Sequence, residues 1–312
     1  MGNKTQSAHS ASVAATLHRA TERLTESSIG ERDVARLNAE ILLSHAISKP
    51  RSFLYTWPDH RLTEDEVRTF DDLLERRAGD YPLAYLTGEQ EFWSLRLTVT
   101  PEVLIPRADT ELLVETALNA IKDIASPRVL ELGTGSGAIA IALASERADA
   151  QLVAIDNSAQ ALQIATFDAN RIAGDLQRPI NITFGQSNWF EQLKAIDPST
   201  AAYDLIVSNP PYIAQNDEHL LESIRFEPQQ ALTSGVSGLD DLYLILEQAQ
   251  AHLKPAGSLA LEHGYNQGEA LRDKLVQAGY KHVATHRDTA NHERVTTASI
   301  DDDDGNTDKP TS

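Results

Sequence analysis

The chain has 312 residues, 41% of them hydrophobic and 23% charged, which is enough for one large domain and a smaller one around sizeable cores. It contains no cysteine, which excludes disulfides, thiolate metal sites and cysteine nucleophiles, and no apolar run approaches the roughly 18 residues of a membrane span. A formal net charge of −19 argues against nucleic-acid partners, because a polyanion gains nothing from the counterion release that drives most binding to DNA or RNA.

Residues 1–12 read as a disordered leader. Met1-Gly2-Asn3 begins like a myristoylation signal, but Gln6 stands where Ser or Thr is required. The run to residue 21 is acid-free like a transit peptide, yet Lys4 and Arg19 are its only firm cations. From 13 to 88 apolar residues recur at helical spacing, as in Val34, Leu37, Ile41 and again in Val67, Phe70, Leu74, and predict a helical domain. Thr63 with Glu66 has the form of a capping box, and Asp33 is a cap candidate for the earlier stripe.

Glu91 to Val99 alternates apolar and polar residues, which predicts a hairpin within a linker over 89–106. Beyond Pro106, Asp109 and Thr110 are cap candidates for an apolar helix from Leu112 to Ile121. Strands and helices then alternate to residue 300. Strands are expected over Arg128–Leu132, Gln151–Ile155, Ile180–Phe184, Tyr203–Ser208 and Ser258–His263, with two more near Val283 and Val295. That order defines an α/β domain over 107–300, with a mostly parallel sheet covered on both faces. Residues 301–312, opening on four aspartates, read as a solvated acidic tail.

Two segments carry chemistry. The apolar strand ending in Glu131 and Leu132 runs into Gly133-Thr134-Gly135-Ser136-Gly137 and then into a helix-forming stretch. Glycines allow the tight turn and a close ligand approach, and the helix N-terminus favours an anionic group. Asp156, at the end of the next strand, can accept hydrogen bonds from both hydroxyls of a ribose, or it can cap the following helix. Gly133, Gly135 and Ala138 also satisfy the G-x-G-x-x-A pattern, so a nicotinamide dinucleotide stays open at this point. Glu131 favours S-adenosylmethionine, because a carboxylate late in an apolar strand is costly to bury alone and a methionyl ammonium would partner it.

The second segment is Asn209-Pro210-Pro211-Tyr212, which follows the strand Tyr203–Ser208. Two prolines fix two φ angles and remove two donors, so the loop is stiff and its carbonyls are unpaired; a plain rigid turn is the alternative. A planar NH2 group could give one hydrogen to the Asn209 side-chain oxygen and the other to the Pro210 carbonyl, with Tyr212 packed on its face. Acceptors that bind the developing N–H dipoles more strongly during attack lower the barrier. The pair of motifs points to methyl transfer from S-adenosylmethionine, giving S-adenosylhomocysteine, to a planar nitrogen without a metal.

These residues resemble the class I methyltransferases, and the chain from about 30 to 298 is similar to the HemK/PrmC family, which methylates the glutamine of the Gly-Gly-Gln motif in class 1 peptide chain release factors. Supporting segments are Ala39 to Leu43, Leu86 to Gly88 with Glu91 to Trp93, Leu104 to Glu111, Arg225 to Pro228 and Leu261 to Gly264. The resemblance implies a Rossmann-like domain, a helical domain that grips the release factor, and a cytoplasmic enzyme. It also implies cofactor contacts at Gly133 to Gly137, Asp156, Trp189 and Asn209, with Asn209, Pro210, Pro211 and Tyr212 receiving the glutamine. Trp189 would otherwise be a core residue. Arg107 and Glu111 shape the cleft or start a helix. Asp288 to Val295 is spaced differently from the usual Gly-Asn-Glu-Arg run, and the tail beyond Ile300 has no counterpart.

Rival readings are a glutamine methyltransferase of a ribosomal large-subunit protein, a DNA or RNA exocyclic-amine methyltransferase, an NAD-dependent dehydrogenase and a non-catalytic binding module. The dehydrogenase and the binding module leave Asn209 to Tyr212 unexplained, and a nucleic-acid substrate leaves the acidity unexplained.

Overall fold

The computed structural model describes residues 11–199, 202–217 and 224–301, so most of the expected leader and tail lies outside the described residues. Contacts divide the chain into two compact units, Met1–Glu89 and Gln90–Ser312.

The first unit is helical: α1 (Val13–Thr25), α2 (Arg32–Ala46), α3 (Arg51–Thr56), α4 (Glu64–Ala78) and α5 (Leu83–Thr87). Its core gathers Leu17, Leu24, Leu42, Leu43, Phe70 and Leu74. Ala11 and Ser12, assigned by sequence to the leader, belong to this unit: the Ser12 hydroxyl caps α1 at the Ala15 amide, and the Leu62 amide donates to the Ala11 carbonyl. Two details differ from expectation. Helix α2 buries Ala35, Asn38, Ala39, Leu42 and Leu43, while Val34 and Leu37 of the stripe read from sequence stay exposed, because the small residues define the face that allows close packing. Asp33 sits inside the first turn rather than capping it, where a negative charge complements the helix dipole.

The capping box at α4 forms as read: the Glu66 amide donates to the Thr63 hydroxyl, and the Thr63 amide donates to the Glu66 carboxylate. Thr63→Ala is expected to lower the stability of this unit by about 1 kcal/mol in urea titration, and an unchanged midpoint would show the cap to be idle.

The second unit opens on a hairpin of β1 (Glu89–Phe92) and β2 (Leu95–Thr98). Its two-residue turn, Trp93-Ser94, has φ of 52° and 57°, the left-handed pair that suits the twist of a hairpin. Phe92 and Leu97 are buried in a core shared with Leu113 and Ala117 of α6 (Glu111–Ala120), so the hairpin is built into this unit. The alternation continues as β3 (Arg128–Leu132), α7 (Ala138–Glu146), β4 (Gln151–Asp156), α8 (Ala159–Asp175), β5 (Ile182–Gln186), α9 (Leu193–Ile196), β6 (Tyr203–Ser208), α10 (Asp240–Ala249), β7 (Leu253–Glu262), α11 (Gly268–Gln277), β8 (Lys281–Arg287) and β9 (Glu293–Ser299).

One seven-stranded sheet results, in the order β5-β4-β3-β6-β7-β9-β8. The first five strands in that order are parallel, and β9 runs antiparallel to both β7 and β8. Alternate side chains feed two cores: Val129, Leu152, Leu205 and Val207 face α7, while Leu130, Val153, Ile206 and Leu259 face α10 and α11. Helix α7 is buried from Ala138 to Ala144, which is why it reads as uniformly apolar. Strand β5 starts two residues later than the expected Ile180, whose side chain packs on the core from outside the ladder. Strand β7 starts earlier than expected, at Leu253, because Leu253 already pairs with Tyr203 and pairing resumes at Ser258 after an irregular Lys254–Gly257 stretch.

Candidate active site

The chain goes from β3 outward to β4 on one side and returns through β6 on the other, so the loops after β3 and β6 part at a topological switch point, where open α/β sheets hold ligands. Register pairs Leu132 with Ser208, and the Ser208 hydroxyl donates to the Leu132 carbonyl at 2.7 Å. Gly133 and Asn209, the next residue of each strand, therefore leave the sheet side by side. Both line one cavity, together with Thr134, Gly135, Ser136, Asp156, Trp189 and Pro211.

The glycine loop needs its glycines: Gly133, Gly135 and Gly137 have φ of 70°, 55° and 83°. Asp156 fastens the loop, since its Oδ2 accepts the Gly135 amide and its Oδ1 the Ser158 amide, both at 2.8 Å. Burial raises the Asp156 pKa, and those amides oppose the shift. The helix-cap reading of Asp156 is not what forms: the Ser158 hydroxyl caps α8 at the Ala161 amide. Each Asp156 oxygen keeps a lone pair for a ligand hydroxyl.

Trp189 has φ +47, and its indole edge lies 3.7 Å from where a Cβ on Gly133 would sit. The Ser187 hydroxyl steadies this turn by donating to the Trp189 carbonyl and accepting the Gln192 amide. A glycine cradle, a fixed carboxylate and an aromatic plate thus share one cavity, and they suit a ligand with a charged tail, a vicinal diol and a planar base.

Glu131 and Gly137 do not line that cavity. Glu131 is 1% exposed, and its Oε2 accepts from the Thr134 hydroxyl and the Ala140 amide, so it braces the loop against the start of α7. Its Oε1 is buried with no hydrogen-bond partner, and burial pushes the pKa up to about 8. The folded chain therefore holds a proton on Glu131 that the unfolded chain releases near its ordinary value of 4.5. Stability is full below that value and declines as pH rises toward 8. Glu131→Gln should flatten this decline in denaturation measured from pH 5 to pH 8; an equal slope in both proteins would remove Glu131 as its source.

At the second motif, the Asn209 amide nitrogen donates to the Thr110 hydroxyl at 3.2 Å, leaving the Asn209 oxygen for the cavity. Pro210 is buried and, like Tyr212, is not a lining residue. The Tyr212 carbonyl accepts from the Gln267 amide at 2.8 Å, and its phenol meets Glu262 at 3.5 Å; burial raises the phenol pKa well above its ordinary range.

Arg107 lines the cavity and pairs with buried Glu227, which also accepts the Ile105 amide at 3.1 Å, so the Leu104 to Glu111 and Arg225 to Pro228 segments meet here. Glu111 is not in the cleft; it accepts the Trp93 amide and holds the hairpin turn. Asp109 pairs with Arg294, and Thr110 makes no helix-cap bond. Sequence reasoning passed over Thr110 and Glu262 as site residues, although Glu262, a carboxylate late in an apolar strand, carries the same signal that singled out Glu131.

A model described as the PrmC N-terminal domain matches residues 15–88, and one described as a methyltransferase domain matches residues 125–305. A release factor glutamine methyltransferase of Shewanella oneidensis is 46% identical over 84% of this chain and 88% of its own length. Those of Aliivibrio fischeri and Escherichia coli are 42% and 45% identical over 92% and 84% of this chain, and over 97% and 91% of their own lengths. Among solved structures, the catalytic domain of hMettl16 superposes with a TM-score of 0.54 at 17% identity, covering 74% of this chain and 83% of that one; the likeness concerns the fold.

Fold and cavity define an S-adenosylmethionine-dependent methyltransferase of class I. With relatives this similar along most of its length, the chain belongs to the release factor glutamine methyltransferase family. Membership sets aside the dehydrogenase and the non-catalytic module. Among the described residues no helix is long and apolar enough to cross a membrane.

Proposed function

We propose that this enzyme methylates the side-chain amide nitrogen of the glutamine in the Gly-Gly-Gln motif of class 1 release factors, and that it does so in the cytoplasm, where translation terminates. The observation that carries the reading is the Leu132–Ser208 register, which delivers the glycine loop and Asn209 to one cavity. The relatives' names supply the substrate, and the helical unit, matched by the PrmC N-terminal domain, is our candidate for gripping it.

In this reading Gly133 to Ser136 hold the methionyl end of the cofactor, Asp156 the ribose and Trp189 the adenine, with Glu131 and Gly137 supporting the loop from behind. S-adenosylmethionine, when bound, supplies a methyl carbon made electrophilic by its sulfonium. The chain's own residues present the nitrogen. The Asn209 oxygen and the Pro210 carbonyl each accept one amide hydrogen, Pro211 keeps the turn stiff, and Tyr212 backs it. An amide lone pair is delocalised, so both acceptors act most strongly as positive charge builds on nitrogen, and one hydrogen then leaves as a proton. Placement alone can supply about 7–11 kcal/mol in favourable systems.

The net charge of −19 supports a protein rather than a nucleic-acid substrate. Offering methyl-labelled cofactor with unmodified release factor, a glutamine-methylated ribosomal large-subunit protein's precursor form, and RNA in parallel tests the choice. Label is expected in the release factor; label in the ribosomal protein or the RNA alone would replace the reading.

A further inference from the structure

The Asn209-Pro210-Pro211-Tyr212 turn is anchored at its start, where the Ser208 hydroxyl donates to the Leu132 carbonyl, and its two prolines fix φ at the middle positions. Its far end is held by a residue outside the motif. The Tyr212 carbonyl accepts from the Gln267 carboxamide nitrogen at 2.8 Å, and the same nitrogen donates to the Gly238 carbonyl at 3.2 Å. The Gln267 oxygen accepts the Gly264 amide at 2.8 Å. A backbone amide can only donate, so the oxygen must face Gly264 and the two amide hydrogens must face the carbonyls. One buried side chain, 8% exposed, thus ties together the loop after β6, the loop before α10 and the loop after β7.

Helix formation does not account for this glutamine. Gln267 stands at the N-cap of α11, where Ser, Thr, Asp or Asn would serve best, and its side chain caps no helix amide. Gly238 shapes the same contact from the other side: its φ is +77, and a Cβ there would overlap the Tyr212 carbonyl oxygen and stand 2.9 Å from the Gln267 nitrogen. Neither Gln267 nor Gly238 lines the cavity, so each can reach the chemistry only through the turn. We propose that Gln267, with Gly238 behind it, is a positioning residue for methyl transfer, because by fixing the Tyr212 carbonyl it sets where the Asn209 oxygen and the Pro210 carbonyl meet the substrate amide. The inference rests on the glutamine-amide reading of the site. The chain beyond the turn is held independently, since the Ile213 amide donates to the Leu232 carbonyl and the Ile213 carbonyl accepts the Ser234 amide. Loss of the clamp therefore loosens the turn without unravelling the segment.

The test uses the full chain, unmodified release factor and S-adenosylmethionine. Gln267→Met keeps the length of the side chain and removes its hydrogen bonds, and it is expected to lower kcat by about tenfold or more through misplacement of the acceptors. KM for release factor and the cofactor Kd from calorimetry should stay near wild type. Gly238→Ala, which displaces the same carbonyl from a different loop, should give the same pattern. The double variant should be little worse than the poorer of the two single variants, because both act on one carbonyl.

Wild-type kcat in Gln267→Met, a loss matched by weaker cofactor binding, or losses that multiply in the double variant would each overturn the proposal. If one variant does not fold by thermal melting, the kcat of the other against its KM and cofactor Kd decides; failure of both to fold would make the clamp a requirement of the fold and overturn the positioning role. Failure of the wild-type enzyme to methylate release factor would instead sink the reading beneath it.

Discussion

Asn209→Ala is expected to lower kcat about a thousandfold while calorimetry finds S-adenosylmethionine bound almost as tightly as by wild type. The alanine removes the acceptor that would meet one hydrogen of the substrate amide and leaves that donor unpaired in a closed site, which costs roughly 1–3 kcal/mol. It also releases the nitrogen from its place, and small misplacements in such sites cost about a hundredfold more. The fold should survive, because among the described residues the Asn209 side chain bonds to Thr110 alone and the Leu132–Ser208 register ends before it. Turnover within tenfold of wild type would remove Asn209 from the chemistry.

Gly137→Val should destabilise the second unit by about 2–5 kcal/mol, the sum of a left-handed backbone imposed on a β-branched residue and overpacking. Gly137 has φ +83, and a Cβ there would come within 2.9 Å of both the Ala165 Cβ on α8 and the Ile141 Cδ1 on α7. Neither can retreat easily, as both are buried between helix and sheet. Gly135 provides the contrast: its φ is +55 but a Cβ meets nothing within 4 Å, so Gly135→Ala carries only the backbone penalty. Urea unfolding of both variants checks this. Equal midpoints for the two would mean that the close approach of α7 and α8 is not what demands glycine at 137.

The sheet could be read from the sequence because its strands are buried on both faces: Val129 to Leu132, apolar but for Glu131, and Leu205 to Val207, apolar throughout, end at unmistakable turn residues. The Trp93-Ser94 turn was harder, since it lacks the Asn-Gly signature that usually announces such φ values, and only the alternation on either side betrayed the hairpin. On α2 the signal misled, because Val34 and Leu37 are larger than the alanines that in fact face the core.

The site divides in the same way. Its glycines and prolines carry conformational information in their identity, so Gly133, Gly135, Pro210 and Pro211 stand out in isolation. Thr110 and Glu227 take their meaning from partners distant in sequence, the latter from Ile105 and Arg107 more than a hundred positions away, and no local pattern marks them. Glu131 was legible as a buried acid but not as a brace, because a cationic ligand and a neighbouring hydroxyl are equivalent solutions to the same desolvation problem until geometry chooses.

The proposed step is the presentation of an inert NH2 to the cofactor by acceptors at Asn209 and Pro210. It is tested most directly by tandem mass spectrometry of unmodified class 1 release factor after incubation with the enzyme and S-adenosylmethionine. A single methyl on the side-chain amide of the Gly-Gly-Gln glutamine is the expected result. A methyl on a lysine, on a carboxylate or on any atom other than that amide nitrogen would contradict the account.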